Sequence, residues 1–350
     1  MEEILVVNPG STSTKLALYR GDQEVSVQAI RHDASVLESF GSVHAQLAFR
    51  LQAARLWARA HAQRLSAIVA VGGLIRPVQG GTYLVNDRML ADASANLQGE
   101  HPSNLGCLIA ARLSAEFECP AFVVDPVSVD EFEPLARYSG HPLIRRKSLS
   151  HALSIHAVVR RASKELQKPL QETRFVVAHL GGGISVSPVR GGRIIDANDA
   201  SSAGPFSPER TGTLPLQDFI TLCFSGSYSE PEVRSLVMGK GGLVAYLGTN
   251  SAEEAERRIA QGDLQAREVY EAMAYQIAKE IGAMATVLHG ELDALVLTGG
   301  LTSSEMLVSL ITPRVRFLAP ILVYPGEDEM KSLAEGALRI LRGEEQAQEY

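Results

Sequence analysis

The sequence predicts a two-domain α/β protein, and three observations carry that reading. Its 350 residues exceed what one hydrophobic core usually supports, so two domains with a cleft between them are expected. Short apolar segments ending in Gly or Asp alternate with longer helical stretches, the pattern of a sheet covered by helices. A glycine-rich hairpin that opens the chain recurs near residue 175, which suggests two related halves.

The first element is that hairpin. Ile4 to Val7 reads as a strand, Asn8 to Lys15 as a turn rich in Gly, Ser and Thr, Leu16 to Tyr19 as the return strand, and Arg20-Gly21-Asp22 as the next turn. The second hairpin runs Phe175 to Ala178, His179-Leu180-Gly181-Gly182-Gly183, Ile184 to Ser187, then Arg190-Gly191-Gly192. Matching Gly10 with Gly181 places Asn8 opposite His179. Between and beyond the hairpins, helices are expected over 46–63, 150–166, 263–288 and 329–342. Strands are expected at Ala67–Val71 before Gly72-Gly73, Ala121–Val124 before Asp125, and Leu295–Thr298 before Gly299-Gly300. Asn8, Asp125, His179 and Gly299 all fall just past the carboxyl end of a strand, where open α/β sheets gather functional groups. The polar segment Gly343–Tyr350 is expected to fray.

Composition narrows the function. With 45% hydrophobic and 21% charged residues the chain has ordinary globular composition. A net charge of −7 offers no general attraction for nucleic acid or anionic lipid, so neither is an expected partner, and a bound polyanion must be held by local groups. Cys107, Cys119 and Cys223 are widely spaced, without a CxxC pair, as expected of thiols in a reducing compartment. No basic-then-apolar leader opens the sequence, and no apolar run reaches the roughly 18 residues of a membrane span. A cytoplasmic location is expected. The histidines show no HxH or HExxH spacing, which argues against a zinc site.

Several segments carry phosphate chemistry. Asn8-x-Gly10-Ser11-x-Ser13-x-Lys15 joins a glycine that lets a ligand approach the backbone, two hydroxyls and a cation. Its turn joins two strands, so the helix-dipole device of a P-loop does not apply. Alone it also fits a tight polar hairpin with no ligand. His179 to Gly183 forms a second cradle, its three glycines leaving room for an oxyanion, and Thr298-Gly299-Gly300 offers a third at a strand end. Asp125, before Pro126, suits proton transfer or Mg²⁺, or else simply a turn. Arg210, in the loop Ser207-Pro208-Glu209-Arg210-Thr211-Gly212, is either a surface side chain or a fork-shaped cation for transferring oxygens.

Together these segments resemble the acetate and butyrate kinase family, especially its butyrate-type branch, in the superfamily of sugar kinases and actin. The likeness covers nearly the whole chain. Its strings include Asn8–Lys15, Gly80-Gly81-Thr82-Tyr83, Gly99–Gly106, Ala178–Val186, Gly204–Arg210, Gly239–Gly242 and Tyr324-Pro325-Gly326-Glu327-Asp328-Glu329. It implies two duplicated ribonuclease-H-like (actin-like ATPase) domains. One spans 1–155 plus 330–350 on the acyl-acid side of the cleft, and the other spans 156–329 on the nucleotide side. It implies ATP/ADP and Mg²⁺ as cofactors, a small carboxylic acid as substrate, and a homodimer or larger homo-oligomer. By the same resemblance, Asn8 and Glu329 hold magnesium, and Ser11, Ser13 and Lys15 form the first phosphate loop. His179, Gly181, Gly182, Gly183, Thr298, Gly299 and Gly300 bind nucleotide. Asp125 is catalytic, and His151 and Arg210 steady the transferring phosphoryl group.

One departure matters. Family members usually carry Gly-Arg-Gly-Gly after the strand of the first domain, the arginine contacting the acid. Here the segment reads Ala70-Val71-Gly72-Gly73, and Arg76 is the next cation. The expected activity is phosphoryl transfer from ATP to butyrate or a related short or branched-chain acid. The alternatives are a weak or inactive nucleotide-binding homologue, or a kinase for acetate, propionate or isobutyrate. Ser251-Ala252-Glu253, where relatives tend to have Asp-Ala-Arg, leaves nucleotide preference open.

Overall fold

A computed structural model describes residues 1–326 and 328–350; Glu327, in the Tyr324–Glu329 string, lies outside the described residues. The chain divides into two compact units, Met1–Asp130 with Asp328–Tyr350, and Glu131–Glu327.

In the first unit the strands are β1 (Glu3–Pro9), β2 (Ser13–Arg20), β3 (Gln23–Arg31), β4 (Ala67–Val71), β5 (Thr82–Leu84) and β6 (Ala121–Val124), in the order β3-β2-β1-β4-β6-β5. Strands β1, β2 and β3 form an antiparallel meander, while β4 and β6 add parallel to β1. Ile4, Leu5, Val6 and Val7 are all fully buried. A strand covered on both faces reads as a continuous apolar run, which is why this segment does not alternate. Each such aliphatic side chain contributes about 1.5–3 kcal/mol of hydrophobic stabilisation.

The second unit starts with the small hairpin β7 (Tyr138–His141) and β8 (Ile144–Arg145). Its main sheet contains β9 (Arg174–Leu180), β10 (Ile184–Arg190), β11 (Arg193–Ile194), β12 (Ala294–Gly299) and β13 (Ile321–Pro325), in the order β11-β10-β9-β12-β13. Directions again run antiparallel, antiparallel, parallel, parallel. The two sheets thus share one plan, as the recurrent hairpin suggests. The match extends further than the hairpins: Ile68-Val69-Ala70-Val71-Gly72-Gly73 corresponds to Leu295-Val296-Leu297-Thr298-Gly299-Gly300, each segment lying parallel to the first strand of its hairpin.

Each unit has its own core. In the first, helices Leu47–His61 and Asn104–Phe117 supply Ala54, Trp57, Leu105, Ile109 and Leu113. In the second, the long helix Leu264–Val287 buries Tyr270, Met273, Ile277 and Ile281, so it is a core helix of its own unit. Asp263 caps it by accepting a hydrogen bond from the Ala266 amide at 3.0 Å, the expected role of Asp at that position. Among the described residues no helix is long and apolar enough to cross a membrane.

Two features differ from the sequence expectations. The division falls at Asp130/Glu131 rather than at residue 155. Glu131 accepts hydrogen bonds from the Ile194 amide (2.7 Å) and faces His156 Nε2 (3.2 Å), and the Glu133 amide donates to Ile195 O. These contacts place 131–155, and His151 with it, in the second unit, while Glu329 joins the first.

The closing segment is also not frayed. The Gln348 amide donates to Thr82 O at 2.8 Å and the Leu84 amide to Gln348 O at 3.0 Å, so the tail adds a short parallel bridge beside β5. Tyr350 packs against the first core and its hydroxyl donates to Asp92 at 2.7 Å. Backbone pairing and one aromatic anchor outweigh the polar composition of the segment.

Candidate active site

In the first unit the hairpin turn is closed by the Gly10 amide donating to Ser13 O at 2.8 Å, with Asn8 paired across to Lys15. Asn8 stands at the end of β1, and its Nδ2 donates to Glu329 Oε2 at 2.8 Å. That bond joins two residues 321 positions apart and leaves an amide and a carboxylate side by side. Such hard oxygen donors fit Mg²⁺, which keeps several waters and leans on substrate phosphates for its remaining ligands.

The turn is braced from behind by a residue the sequence reading missed. Arg50 is fully buried. Its Nη1 donates to Gly10 O (2.9 Å), Ser13 O (2.8 Å) and Thr14 Oγ1 (3.3 Å), its Nη2 to Ser11 O (3.2 Å), and its Nε to Gln46 Oε1 (3.0 Å). Burial lowers its pKa, yet a guanidinium stays protonated in proteins. By gathering the carbonyls on the inner side, Arg50 fixes the turn and places a positive charge behind it. Thr14 also binds His32 Nε2 at 2.8 Å, and burial followed by the nearby Arg50 charge lowers the His32 pKa. The signal was present in the sequence: Arg50, Ala54, Trp57 and Ala58 are the buried residues of one helix, at the i, i+4, i+7, i+8 spacing of a core stripe.

Asp125 follows β6 in a left-handed conformation, φ 40°, uncommon outside glycine. It is held there by a reciprocal pair with Gly81: the Gly81 amide donates to Asp125 Oδ1 at 2.7 Å, and the Asp125 amide to Gly81 O at 2.9 Å. The Gly80–Tyr83 string therefore presents the carboxylate. Val71 ends β4 beside Val124, the residue before Asp125. Arg76 does not stand in for the family arginine. Its Nε and Nη2 grip Asp92 at 2.5 and 2.8 Å, and its amide donates to the Tyr350 hydroxyl at 3.0 Å. The string Gly99–Gly106 shapes the loop after β4: Asn104, buried, accepts from the Leu74 amide (2.7 Å) and donates to Asn96 and Gly99 (both 2.9 Å).

In the second unit His151 and His179 stack, ring centroids 4.0 Å apart and 12° from parallel. His151 Nδ1 lies 2.8 Å from the hydroxyl of Ser185, the residue opposite His179 in the β9–β10 hairpin. Burial, the adjacent His179 and Arg210 hold the His151 pKa well below the usual histidine range. At neutral pH it is an uncharged imidazole, suited to hydrogen bonding rather than to charge neutralisation. Arg210 donates to Ala200 O at 2.6 Å and lies directly over Gly183, where a Cβ would stand 2.6 Å from the guanidinium carbon. The third glycine of the cradle thus makes room for the arginine, whereas a Cβ on Gly182 would meet nothing nearer than Glu209 Oε2 at 4.0 Å.

Gly181 and Gly182 line a cavity of about 350 Å³ with Pro208, Glu209, Asn250, Gly300 and Leu301, within the size range of small-molecule sites. Thr298 pairs with His179 in the sheet, and Gly299, φ 94°, passes so close to Leu180 that a Cβ would stand 2.8 Å from its amide nitrogen. The second and third cradles are therefore adjacent, as the duplicated plan predicts. Glu209 and Asn250 were not singled out in the sequence; Asn250 Nδ2 donates to Glu209 Oε1 at 2.5 Å on the cavity wall. Gly239–Gly242 supports the Arg210 loop: the Thr211 amide donates to Val237 O (3.0 Å), the Gly239 amide to Glu209 O (2.7 Å), and a Cβ on Gly242 would stand 2.9 Å from Arg210 O. Ser251 has a structural task, capping helix Ala252–Ala260 through the Glu254 amide at 3.2 Å.

The architecture matches solved structures of the actin-like ATPase fold. An acetate kinase from Porphyromonas gingivalis aligns with TM-score 0.80 at 16% identity over 97% of this chain and all of its own. A propionate kinase from Francisella tularensis aligns with TM-score 0.74 at 21% identity over 96% and 99%. These likenesses establish the fold. The family itself follows from sequence: the acetokinase family model matches residues 134–319. A "probable butyrate kinase 2" from Caldanaerobacter subterraneus is 51% identical over the full length of both chains, and a "butyrate kinase 2" from Clostridium acetobutylicum is 45% identical over 99% of each. The chain belongs to the acetokinase family.

Proposed function

We propose that this carboxylate kinase is a butyrate kinase, transferring the γ-phosphoryl group of ATP reversibly to butyrate or a related short or branched-chain acid. The observation that carries the reading is end-to-end identity near one half with relatives bearing that name. Within the first unit, Asn8 and Glu329 are assigned to Mg²⁺, Ser11, Ser13 and Lys15 to the phosphates, and Asp125 to the reacting carboxylate. Within the second, Gly181, Gly182, Thr298, Gly299 and Gly300 are assigned to the nucleotide with His179 behind them, and Gly183 to seating Arg210. His151 and Arg210 are assigned to the transferring oxygens, the neutral imidazole as a hydrogen-bond donor and the guanidinium as the charge. When bound, Mg²⁺ would supply charge neutralisation on the phosphates. The side chains supply orientation and electrostatic stabilisation, the two contributions such a transfer chiefly needs.

On the same reading the protein is cytoplasmic and assembles as a homodimer or larger homo-oligomer. Three free thiols accord with a reducing cytoplasm. The exposed Leu135, Tyr138, Leu143 and Ile144 around the β7–β8 hairpin accord with a homodimer or larger assembly.

A second reading, a degenerate nucleotide-binding homologue, is motivated by Val71 and by the engagement of Arg76 with Asp92. The test is hydroxylamine trapping of acyl phosphate formed from ATP, Mg²⁺ and butyrate, by the wild type and by Val71→Arg. Wild-type turnover is expected, with Val71→Arg lowering the KM for butyrate roughly ten-fold, the scale of one added charge-assisted hydrogen bond. A wild type that binds ATP without turnover, and is switched on by Val71→Arg, would instead establish the degenerate reading.

A further inference from the structure

We propose that the closing segment of the chain, through Gln348 and Tyr350, is a positioning strap for the catalytic carboxylate. The inference rests on the assignment of Asp125 above. It starts from the left-handed backbone of Asp125, a conformation of low intrinsic population that persists only when neighbours over-determine it. The neighbour here is Gly81, which gives and receives one hydrogen bond with Asp125. Its amide meets a carboxylate oxygen, a charge-assisted bond that fixes the orientation of the side chain.

Gly81 is in turn held from its other side by the strap. Gln348 Nε2 donates to Gly80 O at 3.0 Å, the Gln348 amide donates to Thr82 O at 2.8 Å, and Gln348 O accepts from the Leu84 amide at 3.0 Å. Gly81 has φ 141°, and a Cβ there would stand 3.1 Å from Gln348 Cδ, inside ordinary contact. The Gly80-Gly81 pair thus leaves space that Gln348 fills. Two residues on, Tyr350 anchors the strap: its hydroxyl donates to Asp92 (2.7 Å) and accepts from the Arg76 amide (3.0 Å), and its ring lies 5.7 Å from the Arg76 guanidinium carbon. A segment remote in sequence therefore sets the segment that sets Asp125. Arg76 is pinned by the same anchor.

Gln348→Ala keeps the backbone bridge and removes only the side-chain contact. Its expected effect is a fall in kcat of roughly ten-fold, on the scale of a small misplacement of a catalytic group. The dissociation constant for ATP and the melting temperature should stay near wild type. Tyr350→Phe keeps the ring and loses both hydroxyl bonds, and a smaller fall in kcat is expected. In the Asp125→Asn background, whose residual turnover is the baseline, adding Gln348→Ala should lower the rate no further, because the strap acts through the carboxylate. Wild-type kcat in Gln348→Ala, or losses that multiply in the double variant, would overturn the strap. Full activity in Asp125→Asn would overturn the assignment of Asp125 itself, a different failure that the single variants tell apart.

Discussion

Gly183→Ala is expected to abolish most of the activity while leaving the fold and the cavity lined by Gly181 and Gly182 intact. The new methyl group would occupy the position of the Arg210 guanidinium, and that side chain is the flexible partner, so it yields rather than the backbone. The stability cost is small because the displaced group is a side-chain end. The rate cost is large, since a charge preorganised for the transferring oxygens is worth on the order of 10²- to 10³-fold in kcat. Steady-state kinetics should show the fall in kcat with the ATP dissociation constant changed less than about three-fold, because neither Gly183 nor Arg210 is among the residues that line the cavity. Arg210→Ala should match it, and the double variant should be no worse than either. A Gly183→Ala protein with wild-type kcat would show that Arg210 has no part in the transition state.

Arg50→Met carries the second large effect. Methionine replaces the aliphatic stem but removes the side-chain donor to the carbonyls of Gly10 and Ser11, while Ser13 O keeps the Gly10 amide and the Thr14 hydroxyl keeps His32. Opposing terms decide the magnitude. The guanidinium is costly to bury, and replacing a buried charge by an apolar chain is often tolerated. The unpaired carbonyls cost about 1–3 kcal/mol each when water cannot reach them. Since Gly10 is half-buried and Ser11 exposed, water relieves part of that cost. A net loss of about 1–3 kcal/mol is expected by denaturant unfolding. The effect on activity should be larger, with kcat/KM for ATP falling on the order of 10²-fold as the turn loosens and the charge behind it is lost. Arg50→Lys restores the charge without the fork and should recover stability better than rate. Unchanged kinetics in Arg50→Met would reduce Arg50 to a packing residue.

The contrast between Arg50 and Gly183 shows where the sequence was legible. Glycine-rich turns between apolar runs announce themselves, because only a few residue types allow the required backbone. Both hairpins, the strands before Gly72, Asp125 and Gly299, and the long helices were readable on that ground. Matching Gly10 with Gly181 even revealed the duplication that the two sheet orders carry through. Arg50 was not read: its spacing from Ala54, Trp57 and Ala58 sets it on the core stripe, apart from Arg55 and Arg59, but an arginine is seldom found fully buried. Strand β3 escaped for another reason: Val25, Val27 and Ala29 alternate with polar residues, but the segment is short of apolar bulk and exposed along most of its length. The closing strap was misread because its composition is polar, whereas it is held by main-chain pairing, which composition does not encode. The boundary at Asp130/Glu131 is set by Glu131 bonding to groups near residues 156 and 194, contacts no local pattern reports.

Motif and resemblance name the residues proposed for the site, whereas the contacts that hold them are visible only in the fold. Gly183 was read as part of an oxyanion cradle and serves as the seat of Arg210. His151 was read as a partner of the phosphoryl group, and its environment specifies the neutral form. Val71, where the resemblance leads to an expected arginine, has Thr298 as its counterpart in the duplicated plan.

We propose that this kinase is tuned to an acid of about four carbons. The most direct measurement is hydroxylamine trapping of acyl phosphate with ATP and Mg²⁺ across acetate, propionate, butyrate, isobutyrate and valerate. Turnover is expected to peak at four or five carbons and to fall by roughly ten-fold or more per methylene removed, the discrimination a hydrophobic pocket can supply. A protein that binds ATP yet yields no acyl phosphate from any of these acids would contradict it.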